Sequence, residues 1–450
     1  MEFKNKSLFK MNEIQILILG FLLIIIVGAI LLWLPISSEN HTYTNFIDSL
    51  FVATSATCVT GLITVDTGTH WNYFGKTVIL ALIQVGGLGF MAFSTLIALI
   101  LGRKITLKER LLIHESLNSF NIQGLVKMSK NILLFTFLVE AVGAVVLSSQ
   151  FVPQFGLSRG LFYSIFHSVS AFCNAGIDLI GEGRSLVPYY NNFTIIFTIS
   201  ILIIIGGLGF YVWQEIYNLS FKHIKRLSLH SKVCITMAVV LLASGTILFF
   251  LFEFDNPATM KHMTSGDKLL SSFFASVSAR TAGFNSISIS DMSENSKFLT
   301  IVFMFIGGAP GSTAGGIKTT TAALIIMTAV SVIKGRQETE IYKRTIKKDL
   351  VYKAIVIFII YVILISISSL ILGVTEKNKS METIIFECVS AIGTCGLSIG
   401  ITPSLSAMGK MIIIITMFFG RLGGLTVILS MINRKIPKSI KYPEDKILIG

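Results

Sequence analysis

Apolar and polar positions fall along this chain in long blocks rather than in short alternation. Eight apolar runs lie at roughly 14 to 34, 77 to 101, 132 to 152, 194 to 214, 233 to 252, 298 to 333, 354 to 374 and 411 to 432. A run of about 20 such residues crosses the hydrocarbon core as a helix, so eight transmembrane helices are predicted. Lys4, Lys6 and Lys10 precede the first run as they would a secretory leader. That run is too long for a leader and no small-residue cleavage site follows it, so it is read as a helix. Between paired runs lie four shorter segments, near 46 to 57, 160 to 172, 268 to 279 and 381 to 392. A helix of about 12 residues reaches only about 18 Å, so each should dip into the membrane and return.

Each short segment ends in a related stretch, SATCVTGL, SAFCNAGI, SARTAGF or SAIGTCGL. These place Gly61, Gly176, Gly283 and Gly396 at intervals of about 110 residues, the mark of an internal repeat. The unit is a membrane helix, a half-helix, a glycine turn and a second membrane helix, with boundaries expected at 1–128, 129–230, 231–348 and 349–450. A lone glycine would be explained by helix capping, but four in matching context, each followed by Leu62, Ile177, Phe284 or Leu397, are not. Glycine lets the backbone take dihedrals closed to other residues and turn carbonyls inward. Four turns around one axis would present a cage of carbonyl oxygens, with four helix carboxyl ends adding partial negative charge.

The fold class expected is therefore all-α and integral to the membrane. Eight transmembrane helices and four re-entrant half-helices would stand in a pseudo-fourfold arrangement around one pore. The residues expected at the ion path are Val59, Thr60 and Gly61, then Asn174, Ala175 and Gly176. Thr281, Ala282 and Gly283 follow, and Thr394, Cys395 and Gly396 complete the ring. Such a cage suits a dehydrated monovalent cation.

Composition agrees with that setting: the 450 residues are 53% hydrophobic and 14% charged, with a mean hydropathy of +0.77. The net charge of +13 might point to nucleic acid, but the cations are dispersed along the chain. Of the 37 lysines and arginines, 25 fall in the amino-terminal tail, in segments 102 to 131, 218 to 232 and 334 to 353, and in the tail from 433. That distribution puts both termini and the three basic loops in the cytoplasm. No soluble stretch is long enough for a nucleic-acid surface. Five cysteines, mostly beside apolar segments, do not form a disulfide framework, and Cys58, Cys173 and Cys395 are read as small packing groups. There is no CxxC, HExxH or nucleophile set, so neither an enzyme nor an organic cofactor is expected. His167 is read as a packed or hydrogen-bonded side chain rather than a ligand.

A second glycine signature follows each turn: Gly86-Gly87-Leu88-Gly89, Gly206-Gly207-Leu208-Gly209, Gly307-Gly308 and Gly423-Gly424-Leu425. In the first two copies close helix packing suffices as a reason. The third expands into GGAPGSTAGGIKTTT within an apolar span too long for one straight crossing. It resembles a phosphate loop at Gly311, Gly316, Lys318 and Thr319, but Ile317 shifts the lysine out of register and no soluble strand precedes it. Residues Gly307, Gly308, Ala309, Pro310 and Gly311, with Ser312, Thr313, Ala314, Gly315 and Gly316, are read instead as an intramembrane gate. Five charges sit at membrane depth. Arg421 is expected to set a barrier to cations or tether that loop, Arg280 and Glu387 to brace the turns from behind, and Glu140 and Lys318 to need partners the sequence does not name.

The fourfold unit, the turn glycines, SARTAGF, GGAPGSTAGGIKT and FGRLGG together resemble the Trk/Ktr/HKT superfamily, above all its KtrB-type potassium-translocating branch, over nearly the whole chain. The resemblance implies M1-P-M2 modules, a homodimer in a bacterial plasma membrane, and control by a cytosolic KtrA-type RCK ring that senses ATP and ADP. It implies that glycine at position 61 goes with K⁺ rather than Na⁺, that the gate is 307 to 316, and that the family's pore arginine corresponds to Arg421. None of the turns keeps TVGYG, which implies fewer strong binding sites. The mechanism expected is passive, voltage-driven K⁺ uptake, since 100 mV supplies about 2.3 kcal/mol per charge. The loop 334 to 353 is a candidate for docking the ring or anionic lipid. Dependence on Na⁺ stays open. The rival is an ion-coupled transporter with alternating access, against which four parallel units speak.

Overall fold

The computed structural model of the chain describes residues 13–89, 125–219 and 227–423. Four long outer helices, Glu13–Trp33, Leu125–Phe155, Leu229–Glu253 and Lys348–Thr375, are each apolar enough to cross a membrane. They turn Leu23, Leu138, Val145, Leu251 and Leu370 outward, as a lipid-facing wall requires. Inside them stand the half-helices Phe46–Cys58, Leu157–Phe172, Ser265–Ser278 and Met381–Gly393. Their faces are rich in small residues, and Ala53, Ala56, Ala171, Ser276 and Ala391 are buried.

The third inner helix is interrupted, as an apolar span too long for one straight crossing implied, and the others differ from the straight spans predicted. The second breaks between Phe193–Gly207 and Phe210–Asn218 with a bend of 91°. The third stops at Phe305 and restarts at Thr319. The first and fourth, Tyr73–Leu88 and Ala407–Leu422, end on Gly89 at φ 83° and Gly423 at φ 82°. The continuations expected to 101 and 432, with Gly424 and Leu425, lie outside the described residues.

Packing alone therefore understates the first two glycine pairs, which also end helices. Close approach is nonetheless their other role. A β-carbon at Gly86 would lie 1.9 Å from the Thr57 carbonyl oxygen, at Gly206 1.9 Å from that of Phe172, and at Gly420 2.2 Å from that of Ile392. Only glycine lets an inner helix touch the carboxyl end of its own half-helix.

One joint recurs at the opposite end of each unit, where the residue capping an inner helix also holds the end of the outer one. Asn72 Nδ2 donates to the Ile36 and Ser38 carbonyls, at 2.7 and 3.2 Å, and Asn192 Nδ2 to Gln150 Oε1 at 3.0 Å. Ser293 donates from N and Oγ to Glu253 Oε1, both at 2.8 Å, and Ser406 does the same to Glu376 Oε1. Each of these caps also accepts an amide of its helix's first turn, so one side chain fixes two helix ends. The expected basic segment 334 to 353 adds one exception to the helical plan, a two-residue antiparallel ribbon pairing Glu340–Ile341 with Arg344–Thr345. Ile341 packs there on Val233 and Ala323.

Candidate functional site

Every turn after a half-helix repeats one backbone device. Val59, Asn174, Thr281 and Thr394 take φ of 56°, 58°, 67° and 49°, and two residues on, Gly61, Gly176, Gly283 and Gly396 take 98°, 66°, 79° and 89°. Left-handed residues alternating with right-handed or extended ones swing successive carbonyls toward the same side of the chain. The middle residues Thr60, Ala175, Ala282 and Cys395 are all buried.

The serine that opens each repeated stretch was quoted in the sequence but given no role, and the structure gives it one. Ser55 Oγ accepts the Gly61 amide at 3.0 Å, and Ser390 Oγ accepts that of Gly396 at 3.1 Å. Ser170 Oγ donates to the Ile177 carbonyl at 2.7 Å, and Ser278 Oγ to that of Phe284. In every copy the hydroxyl staples the half-helix to the segment leaving the turn. The repetition of Ser in all four stretches was the available signal.

The four turns meet. A β-carbon added at Gly61 would stand 2.6 Å from the Ala175 oxygen, one at Gly176 2.6 Å from the Ala282 oxygen, and one at Gly283 2.7 Å from the Cys395 oxygen. One at Gly396 would stand 2.2 Å from the Thr60 oxygen, which returns to the first unit. The contacts close a cycle of order one, two, three, four. Residues spread over more than 300 positions of sequence thus form a single ring of glycines and carbonyls.

Side chains brace the ring from behind. Glu387, fully buried, accepts from Ser398 Oγ at 2.8 Å and from Thr402 Oγ1, fixing the segment after the fourth turn. His167 accepts the Leu179 amide on Nε2 at 3.3 Å, so Nδ1 carries the proton and donates to the Tyr163 carbonyl at 2.7 Å. Glu140 takes Gln84 Nε2 at 3.1 and 3.3 Å. Arg280 departs from the expectation of a brace: its side chain is buried, yet Nε has no partner among the described residues. At the loops leaving the turns, Asp66 accepts the Gly183 amide at 2.9 Å and ties the first to the second. Burial pushes the neighbouring Asp178 carboxyl up to about 6, with the Asp66 charge adding to the rise.

Residues 307 to 316 fold back on themselves, Gly307 N reaching the Ile317 carbonyl at 2.9 Å and Thr319 N that of Gly308 at 3.0 Å. The loop hangs on the broken end of the second inner helix. Ala309 N donates to Gly207 O at 2.9 Å, Thr313 N to Gly206 O at 3.2 Å, and Phe210 N to Gly311 O at 2.8 Å. These bonds satisfy the amides and carbonyls that the helix break exposes. Thr313 Oγ1 also donates to Phe172 O, the last residue of the second half-helix, at 3.0 Å. A β-carbon at Gly315 would lie 2.0 Å from Thr394 Oγ1 in the fourth turn. The loop therefore lies directly under the ring, between units two and four.

Arg421 reaches this loop from the fourth unit. Its guanidinium donates to the Thr313 carbonyl and to those of Gly86, and of Gly87 at 3.1 Å. It meets no carboxylate among the described residues. Lys318 stays within the loop, donating to Ala314 O at 2.6 Å, and is not the partner of Glu140.

Comparison with known proteins agrees with this geometry. The family described as TrkH, cation transport protein, matches residues 3–442. A potassium/sodium uptake protein, NtpJ, from Enterococcus hirae is 42% identical, over 98% of both chains. Ktr system potassium uptake protein B from Bacillus subtilis is also 42% identical, over 97% of this chain and 96% of its own, and that of Vibrio alginolyticus 38%, over 98% and 96%. The crystal structure of the potassium transporter TrkH from Vibrio parahaemolyticus superposes with a TM-score of 0.73 at 17% identity, covering 94% of this chain and 86% of that one, a likeness of fold. With a repeated helical membrane architecture, a family match over nearly its whole length and full-length relatives at this identity, the chain is a KtrB-type member of the TrkH family of cation transport proteins.

Proposed function

We propose that the chain is a potassium-uptake subunit through which K⁺ moves passively, stripped of water at the ring of turns and admitted when the loop 307 to 316 swings aside. The observation that carries this reading is the closed cycle of Gly61, Gly176, Gly283 and Gly396 against one another's carbonyls. Backbone oxygens from four sides replace a hydration shell without adding a fixed charge that would trap the ion. The printed names of the full-length relatives favour potassium, and one of them names sodium as well. Sodium enters the proposal as a second ion, tested by its effect on rubidium uptake.

The loop is the gate in this reading, since it lies under the ring and is tied to its neighbours by backbone bonds, by Thr313 Oγ1 and by one arginine. A cation fixed there adds an electrostatic barrier to the steric one. Control by a cytosolic nucleotide-sensing RCK ring docked at 334 to 353, a homodimer, the unit boundaries given above and a bacterial plasma membrane with both termini inside belong to the same proposal. Anionic lipid headgroups would meet the basic loops.

The test is rubidium uptake in a bacterium lacking its own potassium importers, with and without a candidate ring subunit. Uptake that needs this chain and follows membrane potential supports the reading. Uptake that persists when the potential is collapsed and instead follows a second ion's gradient favours alternating access.

A further inference from the structure

Beside the loop lies a small, partly open space that the conduction reading leaves unused. Its walls come from Gly207 and Leu208 at the break in the second inner helix, Cys234 of the third outer helix, Arg280 of the third turn, and Ala309 and Thr319 at the two ends of the loop. It offers about 10 Å³ to the centre of a water-sized sphere, close to the ~10–15 Å³ that one water requires.

Two polar atoms on residues of that wall have no nitrogen or oxygen partner among the described residues, Arg280 Nε and Thr319 Oγ1. Their residues are 8% and 2% exposed. The Cys234 thiol beside Thr319 is a weak partner at best. The space also adjoins the carboxyl end of helix Phe193–Gly207, where backbone carbonyls concentrate negative potential. A cation belongs at such an end, and a water belongs between it and an unsatisfied hydroxyl.

We propose that this cavity is a structural water site, in which one water accepts from Arg280 Nε and bonds Thr319 Oγ1. The proposal rests on the reading of 307 to 316 as the gate. Through the water, the third turn of the ring grips the start of helix Thr319–Ile333 and the near end of the loop. Ala309 is itself bonded to Gly207, so displacing the loop opens the wall of the cavity and releases the bridge. Arg280 is then a positioning residue for the closed loop, which explains a buried guanidinium set off the ion path.

The test has a structural and a functional arm, both on the full chain in lipid nanodiscs. In a map that resolves waters, a peak is expected within bonding distance of Arg280 Nε and Thr319 Oγ1, absent in Thr319→Val. A dry cavity in the unaltered protein overturns the site, and an anomalous bromide peak there overturns water in favour of an anion. Without the ring subunit, Thr319→Val should raise rubidium uptake by about fivefold, a modest shift of a two-state gate, and add nothing when 310 to 315 are deleted. An additive effect in that deletion background, or no effect while the deletion alone raises flux, overturns the coupling. If the deletion leaves flux unchanged, the gate reading fails, and with it the coupling, while the map still decides the water.

Discussion

Arg421 donates from Nη1 to the carbonyl of Thr313, and its other amino group holds the carbonyls that end the first inner helix at Gly86 and Gly87. One side chain from the fourth unit thereby joins the first unit to the loop of the third, beneath a ring that all four build. A guanidinium bonded only to carbonyls keeps its full charge, so under the proposed gating the tether and the barrier to cations would be the same group.

Arg421→Gln should loosen the loop and raise rubidium flux in the absence of a regulatory partner. A charged hydrogen bond contributes about 1.5–3 kcal/mol, so the open population should grow on the order of tenfold or more. Uptake measured against the amount of folded protein checks this. A fall in flux at normal expression would assign the arginine to maintaining the pore instead.

Gly61→Ser should admit Na⁺. The added β-carbon would meet the Ala175 oxygen at 2.6 Å on a backbone at φ 98°, and relieving a strain of about 1–3 kcal/mol must deform the ring. Competition of Na⁺ with rubidium should strengthen on the order of tenfold. An unchanged ratio would mean that selection happens elsewhere.

Glu387→Gln keeps the shape of the brace behind the fourth turn but weakens two charge-assisted bonds, to Ser398 and Thr402. Flux should become less selective while the melting temperature in detergent falls only slightly, the bonds contributing about 1–2 kcal/mol. Glu387→Ala, which leaves both hydroxyls unpaired, should cost more stability. Equal selectivity in all three proteins would remove the brace.

Asp178 supplies a pH signature. Its carboxyl is pushed up to about 6 from an ordinary 3.8, so the fold favours the protonated form. The stability this gives is fully present below the ordinary value and is lost as pH rises through about 6. Asp178→Asn should therefore raise the melting temperature at pH 7, by on the order of 1 kcal/mol in stability, and change little at pH 4. A variant equally shifted at both values would rule out titration of this group.

Local sequence carried the outline of this molecule because its outline is local. A glycine needed for a left-handed turn is visible as a glycine, and four copies of one stretch announce four copies of one turn. The half-helices were legible for the same reason, their length being too short to cross. What escaped were bonds made across the repeats. Nothing near Arg421 in the chain names Thr313 or Gly86, because units meet edge to edge in space and not in sequence. The bend at Leu208 and Gly209 escaped too, since a glycine pair in an apolar run serves close packing and helix breaking alike.

The ring at the centre has corners of three kinds, Thr60-Gly61, Ala175-Gly176 with Ala282-Gly283, and Cys395-Gly396, written into one polypeptide. In an assembly of identical subunits any alteration arrives in quadruplicate. Here each corner can be altered alone, so a single substitution perturbs a quarter of the ring, and the third quadrant alone carries the loop 307 to 316 among the described residues.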